Sequence, residues 1–470
     1  MSAEETAAFQ PFEERMRREG IEQIVIENFR HYYSALRAGK TGMVPEDAIE
    51  PVDRLPRLEE LDGYAEAGRA ALAHAAVLKL NGGLGTSMGL ERAKSLLVAR
   101  EGLSFLDVIA RQAIAARRRY GQPLPLIFMN SFNTDEDTRA VLARYPELRG
   151  AIPETMLQHK VPKVLQDGLG PAVWPAEPEL EWCPPGHGEV YITLMTSGLL
   201  PALLEGGFRY LFISNADNLG ATLDPALLGY FAGRELPFMM EVAGRTEADK
   251  KGGHLARLRA TGQLTLREVA QCPPDDLDDF QNIERHRYFN TNNIWVNLVR
   301  LKEALDAHDN VIALPMIRNS KTLDPRDSSS PKVFQLETAM GAAIEIFAGA
   351  EAVHVPRSRF VPVKTCADLL ALRSDLYRLD EDGTLARNPD RARGDIVISL
   401  DDRHYKLIDD FEARFPEPVP ALAGCARLAV EGDVRFEPGS IFRGDVRVVN
   451  AAAEQRTLPP QTVEDGTVEL

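Results

Sequence analysis

Residues able to hold a polyphosphate and to neutralise charge in transit are scattered along this 470-residue chain. The first group is LKLNGGLGTSMGLERAKSLL, Leu78 to Leu97, where an apolar run enters a glycine-rich turn. Backbone N–H groups of such a turn can approach an anion closely. It is not a P-loop, because Leu90 rather than lysine follows Gly89, and Gly83, Gly85 and Gly89 depart from the dinucleotide spacing G-x-G-x-x-G. Lys94 follows on the next segment. The second group is NADN, which puts the carboxylate of Asp217 between Asn215 and Asn218 at the end of the apolar run YLFIS. Alone, that aspartate reads as a cap; opposite a phosphate loop it reads as a Mg²⁺ ligand, since Mg²⁺ is held by one or two carboxylates plus phosphates and water. Lys364 in PRSRFVPVKT is a solvated strand-end lysine or a phosphate clamp. His187 in PPGHGE is a ligand donor or a satisfied loop residue, and the amide-rich FNTNN, Phe289 to Asn293, suits turns or a hydroxylated ligand such as a sugar. Two lysines, one metal carboxylate, a glycine loop and amides suit nucleotidyl transfer to a phosphate oxygen, which requires alignment and charge neutralisation but no nucleophile from the protein.

Elements that would position these groups are visible from Ala71 onward. AAVLKL, PLIFMN, YLFISN and FMMEV are short apolar runs separated by helical stretches, the pattern of an α/β, mostly parallel sheet covered on both faces. In such sheets ligands bind beyond the carboxyl ends of the strands, which places the glycine loop, NSFNTD (Asn130 to Asp135) and NADN at one rim. Ser104 and Asp107 predict a capping box for a helix with the stripe Leu106, Ile109, Ala113 and Ala116, stopped at Gly121. Residues 1–70 read as an N-terminal helical segment whose later part, with Pro45, Pro51 and Pro56, is linker-like. Residues 71–380 form the expected catalytic domain and 381–470 a C-terminal domain. There, alternating apolar residues and Gly-Asp-Val at Gly432 and Gly444 suggest coils of a β-helix, with an antiparallel hairpin as the alternative.

Composition limits the partners. A net charge of −16, from 54 basic and 70 acidic side chains, argues against general nucleic-acid binding. The sequence has no apolar run of membrane-spanning length and no signal-peptide pattern at its start, which points to a cytoplasmic protein without a membrane partner. Cys183, Cys272, Cys366 and Cys425 lack metal-site spacing and are expected to be reduced and mostly buried.

LNGGLGTSMG with Lys94, NSFNTD, PPGHG, NADNLGATLD, KGGHLARL, FNTNNIWVNL, QLETAMGAAIEIF and PRSRFVPVKT together resemble, in order, the eukaryotic-type UTP–glucose-1-phosphate uridylyltransferase family. The resemblance is dense from Leu78 to Tyr377. It implies a Rossmann-like nucleotidyltransferase domain, a small C-terminal left-handed β-helix, the substrates UTP and glucose 1-phosphate, and dependence on Mg²⁺. By motif, Leu80, Asn81, Gly82 and Gly83 would lie against uridine and phosphates, and Lys94 against the triphosphate. Gln158 in LQHKVPK would read the uracil edge beside Gly186. His187 and Asn215 would face sugar phosphate or ribose, Asp217 the metal, and Lys364 the phosphates in the transition state. Glu268, Asn290 and Asn292 would meet sugar hydroxyls. Lys163 stands where the family often has arginine, which loses bidentate phosphate geometry. Ser87 stands where relatives using N-acetylhexosamine phosphates have arginine, which argues against that substrate. A UDP-sugar pyrophosphorylase of broader range and a non-catalytic nucleotide-sugar binder are the alternatives; the second would be expected to lack Asp217 or Lys94, and both are present. The sequence ends on TVEDGTVEL, an ending that looks shortened beside the final strand that joins subunits in the family's oligomeric members, so a monomer or small homo-oligomer is expected.

Overall fold

The computed structural model describes residues 3–90, 92–308, 310–391 and 394–470. Its centre is a mixed ten-stranded sheet. In chain order the strands are β1 (Ile49–Pro51), β2 (Ala75–Asn81), β3 (Leu126–Asn130), β4 (Thr155–Leu157), β5 (Tyr210–Asn215), β6 (Phe238–Gly244), β7 (His254–Leu258), β8 (Leu264–Arg267), β9 (Tyr288–Asn297) and β10 (Glu351–His354). The main path runs β1-β7-β9-β5-β2-β3-β4, with β6 joined to β9 and β10, and β8 to β7. Strands β5, β2, β3 and β4 are mutually parallel. All four apolar runs expected to be strands therefore are strands, and three of them end at one edge of the sheet.

Burial on both faces explains why these strands read as continuous apolar runs. Leu78, Leu211 and Ile213 face a core shared with the N-terminal helices Ala3–Arg18 and Gln23–Arg37, whose Phe9, Phe12, Phe29 and Tyr33 pack on one another. Phe212 and Trp295 face the opposite layer, their rings 4.6 Å apart. The helix Phe105–Tyr120 begins at Ser104 with the expected capping box to Asp107 and ends at Gly121, whose φ is +63°. All four cysteines are buried thiols.

Two expectations change. The linker-like stretch before residue 70 contains β1, an edge strand paired antiparallel with Ala256–Leu258, because Pro51 sits where the ladder ends. FNTNN is no turn cluster: it lies inside β9, which runs antiparallel to both β5 and β6. A register shift at Glu241/Val242 and a left-handed Asn292, φ +57°, break its regular alternation.

The C-terminal strands Val397–Leu400, Cys425–Glu431, Ile441–Val449 and Thr462–Glu469 form a four-stranded parallel sheet, and Val434–Phe436 pairs parallel with Arg456–Leu458. Parallel pairing excludes the antiparallel hairpin. Among the described residues, no helix is long and apolar enough to cross a membrane.

Candidate active site

At the carboxyl edge of β2 the chain turns through Gly85 and Gly89, at φ +67° and +76°, on either side of the short 3₁₀ turn Thr86–Met88. Left-handed backbone at both positions favours glycine. The turn folds back so that the Lys94 N–H donates to the Gly83 carbonyl at 3.1 Å. A Cβ on Gly85 would stand 3.1 Å from the Lys94 side chain. The odd glycine spacing thus carries Lys94 back across the loop. There its Nζ donates to Asp217 Oδ2 at 2.8 Å.

Asp217 lies in the turn that follows β5, and the scaffold beneath that turn is polar but closed. Lys79, buried in β2, donates to Ser214 Oγ and to the Ala221 carbonyl, both at 2.7 Å, tying together the two sides of the turn. Burial pushes its ammonium down to about 7, with Arg359 adding to the effect and Glu241 and Asp217 opposing it. Asn218 is 1% exposed and has a structural role. It donates to the Arg359 carbonyl at 3.1 Å and accepts from the Val361 N–H at 2.9 Å. The Val363 N–H donates to the Asp217 carbonyl at 3.2 Å, so the PRSRFVPVKT segment is laced to the aspartate turn.

Behind this lacing Arg359 makes a fork on the buried Glu241, at 2.7 and 2.8 Å, and Glu241 also accepts from Trp295 Nε1 and Asn293 Nδ2. Removing one partner of a buried pair leaves the other charge uncompensated. Glu241→Ala is therefore expected to cost about 3–5 kcal/mol, read as a lowered midpoint in chemical denaturation.

The residues expected to meet the nucleotide converge. Leu80, Asn81, Gly82, Gly83, Lys94, Gln158, Gly186, His187, Asn215 and Asp217 line one cavity of about 1240 Å³, with Ser131, Phe132 and Asn133 of NSFNTD on its rim. The Asn81 side chain turns away, donating to Asn130 Oδ1 and Thr138 Oγ1, and its carbonyl accepts from Thr134 Oγ1 at 2.8 Å, so Asn81 acts as an internal tie beneath the loop. Gln158 donates from Nε2 to the Gly186 carbonyl at 2.9 Å, and a Cβ on Gly82 would meet its Oε1 at 3.1 Å. Gly186, at φ +83°, leaves no room for a side chain: a Cβ would sit 2.4 Å from the Thr338 carbonyl. Lys163 donates to the Leu323 carbonyl and lies outside this lining.

His187 accepts from the Met340 N–H on Nδ1 at 3.0 Å. The neutral ring then carries its proton on Nε2, ready to donate. Burial pushes its pKa down to about 4. The unfolded chain takes up this proton near 6.5 and the folded protein only near 4, so the associated stability is complete above about 6.5 and is lost as pH falls towards 4. The loss amounts to about 3 kcal/mol. His187→Asn is expected to flatten that part of a Tm-against-pH profile.

Four expected site residues are placed elsewhere. Lys364 is exposed in an adjoining cavity of about 760 Å³, beside Gly252, Phe289 and Phe360. Its backbone is fixed by the Thr365 cap, where Asp368 accepts both the Lys364 and Thr365 N–H groups. Glu268 packs on Gly253, where a Cβ would meet its carboxylate at 2.5 Å; burial raises its pKa and Lys364 opposes the rise. Asn290 donates to Asn292 Oδ1 at 2.9 Å across the irregular part of β9. Glu268, Asn290 and Asn292 do not line the cavity of Lys94 and Asp217. Sequence reasoning missed Lys79 and Glu241, although a charged residue inside an apolar strand was the available signal. It also missed His159, Lys160 and Trp182 on the cavity wall.

Among the described residues, no cluster of three or more histidine, cysteine or acidic side chains offers a metal cage. Asp217 lines the cavity with a spare acceptor, its Oδ1 buried without a hydrogen-bond partner; Glu177 and Glu179 are exposed on the wall of the same cavity. One carboxylate with an unused oxygen fits Mg²⁺, which takes its remaining ligands from phosphates and water.

A glycine turn at the carboxyl edge of parallel strands, with a lysine and a carboxylate facing it, is the architecture of an α/β nucleotide-binding protein. A family model described as UTP–glucose-1-phosphate uridylyltransferase matches residues 26–443, and the chain belongs to that family. A Saccharomyces cerevisiae protein of that name is 42% identical over 398 residues, 84% of this chain and 78% of that one. Among solved structures, a mutant UDP-glucose pyrophosphorylase from Leishmania major in complex with UDP-glucose has 43% identity and a TM-score of 0.93, covering 100% of both chains. A UDP-glucose phosphorylase from Trypanosoma brucei has 46% identity and a TM-score of 0.91, covering 99% of this chain and 100% of that one.

Proposed function

We propose that this protein transfers the uridylyl group of UTP to glucose 1-phosphate, giving UDP-glucose and pyrophosphate. The observation that carries the reading is the single cavity in which Gln158 and Gly186 stand at one part of the wall and Lys94 and Asp217 at another, in a chain of this family. Gln158 and Gly186 hold the base, the glycine turn and Lys94 the triphosphate, and Asn215 and His187 Nε2–H the ribose or sugar phosphate. A phosphate oxygen of glucose 1-phosphate forms the new bond to the α-phosphorus. The bond from the α-phosphorus to the oxygen bridging it to the β-phosphate breaks, and pyrophosphate leaves with the electron pair. The attacking oxygen is already ionised near neutral pH, so no base is needed.

Asp217 is the proposed Mg²⁺ ligand, and the ion supplies charge neutralisation on the phosphates. Lys94 leaves Asp217 for the triphosphate when nucleotide binds. Lys364 covers the phosphates from the adjoining cavity, and Glu268, Asn290 and Asn292 meet sugar hydroxyls. The parallel C-terminal sheets are read as coils of a left-handed β-helix, and the protein as a cytoplasmic monomer or small homo-oligomer.

Pyrophosphate release measured with UTP against a panel of sugar 1-phosphates tests the activity. Release is expected with glucose 1-phosphate; none with any sugar would overturn the reading. Comparable turnover with several sugars would replace it by a broader UDP-sugar pyrophosphorylase.

A further inference from the structure

Gln158 is held at both ends by one turn. Its side-chain Nε2 donates to the carbonyl of Gly186, the residue that opens the turn. Glu189, which closes that turn, is 2% exposed and spends its whole carboxylate on the next residue along. Oε2 accepts the His159 backbone N–H at 3.2 Å and Oε1 meets His159 Nδ1 at 2.6 Å. On the other side, the Gln158 N–H donates to the Asn130 carbonyl at 2.8 Å. Both peptide groups flanking Gln158 are therefore anchored. The far edge of the His159 ring is held by Thr196 Oγ1 at 3.2 Å and by Glu22, at the start of the second N-terminal helix, at 3.4 Å.

The chemistry at stake is the choice of base. With one amide N–H given to Gly186, Gln158 keeps one N–H and its carbonyl oxygen, a donor beside an acceptor. Uracil presents a carbonyl oxygen beside N3–H, the complement of that pair; cytosine presents the reverse, an amino group beside an unprotonated N3. An amide turned over would suit cytosine, and the Gly186 carbonyl opposes that turn because it would then face an oxygen. We propose that Glu189, acting through His159, is the positioning residue that keeps Gln158 in register with Gly186 and so sets preference for UTP over CTP. This rests on the uridylyl-transfer reading.

The test compares kcat/KM for UTP and CTP in the full-length enzyme and its variants Glu189→Ala, Glu189→Gln, His159→Ala and Gln158→Ala, with glucose 1-phosphate saturating. Glu189→Ala is expected to raise the KM for UTP and to reduce UTP preference on the order of tenfold, a scale set by small displacements of a positioned group. Glu189→Gln, which can accept from the backbone N–H and donate to Nδ1, is expected to restore most of the preference. His159→Ala keeps the backbone contact and is expected to fall between them. A role confined to stability would lower Tm and leave the UTP-to-CTP ratio at its wild-type value. That ratio in folded Glu189→Ala overturns the proposal; if this variant does not fold, an unchanged ratio in His159→Ala overturns it. A wild-type enzyme inactive with UTP would instead sink the transferase reading, and an unchanged ratio in Gln158→Ala would remove the base reader itself.

Discussion

Asp217→Ala is expected to lower Mg²⁺-dependent turnover on the order of 10³-fold or more while leaving the fold intact. Two features place the effect in chemistry rather than stability. Asp217 lines the cavity with an Oδ1 that has no hydrogen-bond partner, and its only side-chain ion pair among the described residues is with Lys94. The turn that carries it is held by backbone and neighbouring groups: Lys79 to Ser214 and Ala221, Asn218 to Val361, and the Asp217 carbonyl to Val363. These contacts survive the substitution. Steady-state rates across a Mg²⁺ titration, with circular dichroism and Tm as controls, check it. Substantial activity at saturating Mg²⁺ would place the metal elsewhere. Because the substitution also releases Lys94, triphosphate binding without metal is expected to persist or tighten, a separate readout by calorimetry.

Lys364→Ala is expected to reduce kcat on the order of 10²-fold with little change in the KM for UTP. The lysine stands outside the cavity lined by Lys94 and Asp217, so a small ground-state contribution there is expected. Its backbone is nevertheless tied to the aspartate turn one residue away, through Val363, which makes approach to the phosphates a short movement of one segment. Burial raises the Glu268 pKa and the Lys364 charge opposes the rise, so the two side chains lie within electrostatic reach of each other. A change confined to KM would make Lys364 a ground-state binding residue. Lys364→Arg keeps the charge but changes the donor geometry, and intermediate activity is expected.

Much of this architecture could be read from local pattern. The four apolar runs, the Ser104 cap and Gly121 are properties of neighbouring residues, and each appears where expected. β9 was not legible, because Asn290, Thr291, Asn292 and Asn293 resemble a turn in composition. They continue the strand because β6 pairs with Asn290 and Asn293, the Asn290 N–H donates to the Gly253 carbonyl, and the following Ile294–Asn297 pairs with β5. β1 was hidden for the same reason, its three residues gaining their strand character from a partner some two hundred residues away in sequence.

By itself the sequence determined which chemistry was available: a glycine turn that is neither P-loop nor dinucleotide loop, one carboxylate at a strand end, and lysines in two separate motifs. Only tertiary structure decided which of these groups share a space. It set Lys94 on Asp217 and gathered Gln158, Gly186 and His187 around the same cavity, while Lys364 and Glu268 were placed next door. It turned the Asn81 and Asn218 side chains into internal ties. The physical reason is that a buried amide must find its hydrogen bonds among whatever the fold brings near it, and that choice is made by packing between strands rather than along one.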